Sequence, residues 1–207
     1  MNWLSRITER RRTSPPVRRW VVVDVETSGL DSRRDALISV GAVALREGRV
    51  APGDSLELVV QQDQASSREN ILIHGVGRAA QLSGAEPRVA LHAFLDYVGR
   101  SPLIAFHAPF DRGFMARAIT AYVNQPFDNP WLDLAKLASA LSPRAQLKSL
   151  DEWLTHFSIP LTARHSAAGD AFATALLATR LLPEARRQGA TTFADLQALA
   201  RAGRWLA

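Results

Sequence analysis

The chain has 207 residues, 47% of them hydrophobic, and a formal net charge of +5 at pH 7, enough for one sizeable core and short for two independent ones. It contains no cysteine, which excludes disulfides, thiolate metal sites and cysteine nucleophiles, and suits a reducing cytoplasm. No run of about eighteen apolar residues occurs and the N-terminus has no continuous apolar signal region, so neither membrane spanning nor secretion is expected.

Arg10, Arg11, Arg12, Arg18 and Arg19 crowd the first twenty residues around Ser14, Pro15 and Pro16. This reads as a basic, flexible leader over residues 1–18, followed by a single domain over 19–207. The positive balance favours polyanionic partners, nucleic acid among them. Trp20–Val25 is a short Val-rich run with the pattern of a strand buried on both faces. Ala36–Leu45 and Ser55–Val60 read as further strands, with Glu47, Gly48 and Arg49 as the hairpin turn and Pro52 and Gly53 breaking pairing before the third.

Gln61–Pro87 is polar with scattered apolar residues and predicts an irregular connection. Val89–Val98 then carries Leu91, Phe94, Leu95 and Val98 at helical spacing, Leu103–Phe106 suits a short strand, and Arg112–Tyr122 a helix. Ser149 and Glu152 have the spacing of a capping box, which predicts a short helix running to about His156. Ala167–Leu182 is a longer helix that Pro183 should end, and Phe193–Leu206 a last amphipathic one. Strands first, then alternating and finally helical elements imply an α/β fold around one mixed sheet.

Asp24 and Glu26 alternate with valine in Val23-Asp24-Val25-Glu26, so on a strand both carboxylates point to one face. About 4 Å apart in an effective dielectric near 20, they would repel by about 4 kcal/mol. A hard divalent cation between them resolves this; the alternative is one acid capping the turn at Ser28-Gly29 and the other solvated. Asp111 follows a strand and opens a helix, which suits an N-cap and equally a ligand site at the carboxyl end of an α/β sheet. His165 and Asp170 are five residues apart, so the histidine belongs to the loop before a helix and the aspartate to its first turns. An imidazole can accept a proton near neutral pH while the carboxylate suits a metal; a solvated loop histidine beside a dipole-complementing aspartate is the plainer alternative.

Taken in order, Asp24-Val25-Glu26-Thr27-Ser28-Gly29-Leu30, His107-Ala108-Pro109-Phe110-Asp111 and His165-Ser166-Ala167-Ala168-Gly169-Asp170-Ala171 resemble the three Exo motifs of the DnaQ-like exonucleases, histidine subtype. Ile73-His74-Gly75-Val76 and Leu132-Asp133-Leu134-Ala135-Lys136-Leu137-Ala138 are similar to further stretches of that family. The resemblance spans roughly Arg19 to Leu182. It implies a ribonuclease H-like fold with a central mixed five-stranded sheet flanked by helices. It also implies a 3′→5′ exonuclease that releases nucleoside 5′-monophosphates with two Mg²⁺ or Mn²⁺ ions.

In that reading Asp24, Glu26 and Asp170 hold the first metal, Asp24 bridges to the second, and Asp111 fixes the site directly or through water. His165 accepts the proton of the attacking water, while Thr27, Ser28, Gly29 and Leu30 grip and wedge the terminal nucleotide. The family often has Asn where His107 stands, so His107 is left between a substrate contact and space filling. The implied substrate is a single-stranded or frayed DNA 3′ end. RNA trimming, a binding module that no longer cuts, and a subunit docking to a DNA polymerase are the alternatives. With no evident clamp-binding peptide, a free-standing enzyme is expected over the docking subunit.

Overall fold

The computed structural model describes residues 19–160 and 165–202; the leader and residues 203–207 lie outside them. Three antiparallel strands come first: β1 (Arg19–Thr27), β2 (Leu37–Arg46) and β3 (Arg49–Val59). Two short strands, β4 (Leu103–Ala105) and β5 (Trp131–Asp133), then add parallel to β1 on its other side. The sheet order is β3-β2-β1-β4-β5, the mixed five-stranded arrangement of the ribonuclease H-like fold.

β1 is buried on both faces, and its alternation sorts side chains between two cores. Trp20 and Val22 join Leu137, Trp153, Leu177, Leu181 and Leu196 from α5 (Leu134–Leu141), α6 (Leu150–His156), α7 (Ala167–Arg187) and α8 (Phe193–Ala202). Val21, Val23 and Val25 join Phe94, Phe114, Met115 and Ile119 from α3 (Pro87–Val98) and α4 (Ala108–Tyr122). Each fully buried valine contributes about 1.5–3 kcal/mol relative to exposure, so β1 is anchored in both cores and gives a firm base for residues at its carboxyl end.

Several elements differ from the sequence expectation. The hairpin turn is Glu47-Gly48 alone, both with positive φ (52° and 79°), as a two-residue turn matching the strand twist requires. Pro52 and Gly53 do not end pairing. β3 runs through them, and the register shift between Val43 and Ala44 lets residues 52–54 bulge out, which re-aims Asp54. Its carboxylate accepts hydrogen bonds from Arg19 Nε (2.9 Å) and Arg46 Nε (2.9 Å), and its carbonyl accepts one from the Tyr97 hydroxyl (2.7 Å).

The connection after β3 contains two short helices, α1 (Arg68–His74) and α2 (Arg78–Leu82). Leu72 and Ile73 are exposed there, so no apolar periodicity announces α1; local bonds hold it instead. The Ser67 side chain caps Asn70, and Gly75 ends the helix in the left-handed region at φ 71°, where glycine carries no Cβ penalty. Buried Gln81 donates to Ser66 Oγ (3.0 Å) and to the Val76 carbonyl (2.8 Å). His74 Nδ1 accepts from the Val76 amide (3.0 Å), with Ser66 Oγ 3.1 Å from its Nε2. Burial lowers the His74 pKa, favouring the neutral ring.

The helix carrying Asp111 starts earlier than expected, at Ala108 with His107 as N-cap and proline inside its first turn, a position where its missing N–H is harmless. The capping box of Ser149 and Glu152 is present. α7 continues through Pro183 to Arg187. The proline is exposed, and the buried Leu181, Leu182 and Ala185 beside it hold the helix against the loss of one backbone bond.

Candidate active site

The carboxyl end of β1 leaves the core and enters an acidic centre. Asp24 and Glu26 occupy the face that Trp20 and Val22 give to the α7 core, so the period-2 alternation brings both acids under the start of α7. Asp170 reaches them from the first turn of that helix. One carboxylate oxygen from each of Asp24, Glu26 and Asp170 lies within 4.8 Å of the others. All three residues are partly buried. Three hard oxygen donors so placed fit Mg²⁺ or Mn²⁺ and lack the nitrogen and sulfur donors that softer ions favour.

The contact between α7 and the sheet depends on a residue that the motifs do not contain. Gly41 pairs with Asp24 across β1 and β2, and a Cβ there would lie 2.1 Å from the Ala167 carbonyl carbon and 2.2 Å from the Ala168 nitrogen. Only glycine lets the backbone at the start of α7 rest on the strand beside Asp24. A glycine inside a strand is the sequence signal that could have found it.

Asp111 is not part of the three-carboxylate group. It sits in the first turn of α4, 5% exposed, and its Oδ1 accepts from the Val25 amide at 3.2 Å. Pairing of β1 with β4 ends at Val22 and Ile104, so Asp111 fills the place on the β1 edge where a further ladder bond would have been. Desolvation pushes its pKa well above the ordinary carboxylate range; the charges of Asp133 and Glu26 add to this, against the opposing effect of its backbone hydrogen bonds. Asp133, at the carboxyl end of β5, caps α5 through the Lys136 amide (3.2 Å) and pairs with Lys136 Nζ (2.9 Å). It escaped the sequence reading although the logic applied to Asp111, an acid between strand and helix, applies equally to it.

His165 precedes the α7 N-cap Ser166, whose side chain accepts from the Gly169 amide. The histidine is exposed, with φ 64°, and its backbone N–H donates to Asp170 Oδ1 at 3.3 Å. A Cβ on Gly75 would come 3.2 Å from the His165 carbonyl, so the end of α1 borders the same site. The Thr27–Leu30 loop lies against α1 too, since Asn70 Nδ2 donates to the Ser28 carbonyl. Thr27 Oγ1 donates to the Gly29 carbonyl (2.6 Å), and Ser28 closes the loop by exchanging bonds with Ala36 (2.9 and 2.8 Å). This leaves Leu30 86% exposed, next to a helix whose Leu72 and Ile73 are also exposed. His107 is exposed, makes no side-chain cap bond, and stands edge-on to Phe106 at 4.6 Å.

The family model described as Exonuclease, RNase_T, matches residues 21–178. The DNA polymerase III subunit epsilon-like protein of Rhodobacter capsulatus is 33% identical over 178 residues, covering 84% of this chain and 25% of that protein. The PolC-type DNA polymerase III of Listeria welshimeri is 30% identical over 177 residues, covering 85% of this chain and 12% of that protein. The chain thus spans a quarter or less of the length of these relatives.

Among solved structures, exonuclease X in complex with 5′ overhanging duplex DNA superposes with a TM-score of 0.69 at 18% identity, covering 87% of this chain and 99% of that one. Escherichia coli exonuclease I in complex with a dT13 oligonucleotide gives 0.67 at 17% identity, covering 82% and 42%. Those two likenesses speak to the fold. The match over most of the chain, together with three motifs that converge at the end of one strand, establishes that this chain belongs to the RNase_T exonuclease family, among the DnaQ-like exonucleases.

Proposed function

We propose that the chain is a divalent-metal-dependent 3′→5′ exonuclease that removes nucleoside 5′-monophosphates from DNA 3′ ends. The observation that carries this reading is the approach of Asp24, Glu26 and Asp170, from two elements far apart in sequence, to within 4.8 Å. Asp24, Glu26 and Asp170 would hold the first of two Mg²⁺ or Mn²⁺ ions, and Asp24 would also serve the second. The chemistry such ions would supply when bound is polarisation of the phosphoryl oxygens and acidification of the attacking water.

Asp111, tied to the β1 backbone, orients the centre through water. His165 takes the proton of the attacking water on its imidazole, and its exposed position gives it access to solvent. Thr27, Ser28 and Gly29 receive the terminal nucleotide and Leu30 wedges against its base, which suits a loop closed by its own hydrogen bonds with an apolar tip. The DNA bound by the structurally similar exonucleases and the polymerase names of the relatives support a DNA substrate, with a DNA polymerase as a partner of the whole protein.

A 5′-labelled oligodeoxynucleotide incubated with Mg²⁺ or Mn²⁺ should shorten one nucleotide at a time, releasing 5′-monophosphates, and remain intact in EDTA. Matched RNA run alongside should shorten more slowly. A full-length substrate after incubation with either metal, or internal cuts, would overturn the reading. Preferential degradation of the RNA would replace its substrate.

A further inference from the structure

Ser39 of β2 is 2% exposed, and its hydroxyl has no hydrogen-bond partner among the described residues. Leaving a buried hydroxyl unbonded costs free energy, because water would have bonded it in the unfolded chain. The valines and alanines that fill neighbouring positions of the strand, Val40, Ala42, Val43 and Ala44, carry no such cost. A serine at this place therefore points to a bond made when the site is loaded.

The sheet register identifies the acceptor. Ser39 pairs with Glu26 of β1 on one side and with Val59 of β3 on the other, and residues directly opposed across strands share a face with Cβ atoms about 4.5–5.5 Å apart. Of these two neighbours only Glu26 has a polar side chain. Two residues further along β2, Gly41 pairs with Asp24 and meets the backbone of Ala167 and Ala168, so Ser39 lies on the face where the start of α7 covers the acids. Glu26 stands at the last regular pair before the register shifts at Thr27. A carboxylate offers about four acceptor sites on two oxygens, more than a single metal bond uses, and a serine hydroxyl rotates to suit its acceptor.

We infer that Ser39 is a positioning residue for the metal centre: its hydroxyl donates to the Glu26 carboxylate oxygen that faces away from the ion, and so fixes the rotation of that carboxylate towards Asp24 and Asp170. This rests on the metal-dependent reading above and extends it to a residue outside the three motifs. Ser39 touches neither the nucleotide nor the attacking water, so its effect falls on metal affinity. Losing a partner of this kind typically costs about 10–100-fold in metal affinity or activity.

The test measures Mn²⁺ affinity by isothermal titration calorimetry for wild-type protein, Ser39→Ala, Ser39→Cys and Ser55→Ala. Thermal melts in EDTA and hydrolysis of the p-nitrophenyl ester of thymidine 5′-monophosphate in Mn²⁺ are followed alongside. Ser39→Ala should weaken Mn²⁺ binding about tenfold and shift the Mn²⁺ concentration for half-maximal hydrolysis by the same factor. Its melting temperature in EDTA should stay level or rise, because an unbonded hydroxyl has been removed. Ser39→Cys, close in shape but a weaker donor, should fall between. Ser55→Ala removes an exposed hydroxyl of β3 that already donates to the Pro52 carbonyl (2.8 Å) and should bind Mn²⁺ as wild type does. Wild-type affinity in Ser39→Ala, or an equal loss in Ser55→Ala, overturns the inference. A melting temperature in EDTA that falls together with the affinity marks a packing role and overturns it as well. Wild-type protein that binds Mn²⁺ with this dependence on Ser39 but leaves the ester intact counts against the hydrolytic reading and leaves the role of Ser39 standing.

Discussion

The two ends of β1 use the same chemical group in opposite ways. At its start, Arg19 donates to Asp54 through Nε and a terminal nitrogen (2.9 and 2.8 Å), Arg46 joins the same carboxylate, and the Arg19 guanidinium lies 4.7 Å from the centre of the Tyr97 ring. Hydrogen bonds from Arg19 lead, with Arg46 adding to them, in lowering the Asp54 pKa to about 2. At the other end Asp111 is buried beside Asp133 and Glu26, and its pKa is raised. A carboxylate between guanidiniums fastens a bulge to a strand and a helix. A carboxyl group buried beside other acids costs stability when it ionises.

The sharpest break in this contrast comes from the catalytic end. Asp24→Asn should reduce hydrolysis of a nucleotide aryl ester to background, and His165→Gln should lower kcat by about 10²–10⁴-fold, while circular dichroism melts stay near wild type. Wild-type turnover in either variant would remove that residue from the centre. Next in size is Gly41→Ala. Its new methyl meets the backbone of α7 and should cost about 1–3 kcal/mol, weakening Mn²⁺ affinity as Asp170 moves. Gly53→Ala, with nothing within 4 Å of its Cβ, should leave melting and metal binding unchanged. Calorimetry and metal titration of both variants would show whether the approach of α7 is the cause.

The two aspartates then predict opposite pH behaviour. Above the ordinary carboxylate pKa the unfolded chain ionises Asp111 freely while the folded chain resists, so its cost grows as pH rises towards the raised folded value. In EDTA, Asp111→Asn should therefore melt at a higher temperature than wild type, by a margin that widens from about pH 5 to about pH 8. A constant or reversed margin would show that Asp111 is not strained by its charge. Asp54 works in the other sense. Its depressed pKa contributes stability that is fully present above the ordinary value and is lost as pH falls towards about 2. Asp54→Asn should cost about 1 kcal/mol at neutral pH, since Arg46 is half exposed, and the difference should vanish in acid melts.

The elements that were legible in the sequence are those with a short-range cause. The valine run of β1, the helical spacing of α3 and the Ser149 capping box each declare themselves within a few residues. The misread ones have their cause elsewhere. α1 has no apolar stripe and is held by the contacts of Ser66, His74 and Gln81. Pro52 and Pro183 look like breakers, yet one sits in a bulge pinned through Asp54 and the other on the exposed side of a helix anchored by buried leucines. The expected start of α4 at Arg112 is also late, since the helix begins at Ala108 with Pro109 in its first turn, where proline is tolerated.

By itself the sequence determined that Asp24 and Glu26 share a face, because side chains on a strand alternate, and that His165 and Asp170 straddle a helix start. The family resemblance had already put Asp170 with that pair, but how it gets there was decided only in three dimensions. Asp170 arrives because Gly41 lets two backbones touch, and Asp111 is held at the side because β1 and β4 part after Val22 and Ile104. The physical reason is one of range: periodicity and capping act over a turn or a strand, whereas a metal-sized cluster depends on packing between segments that no local pattern relates.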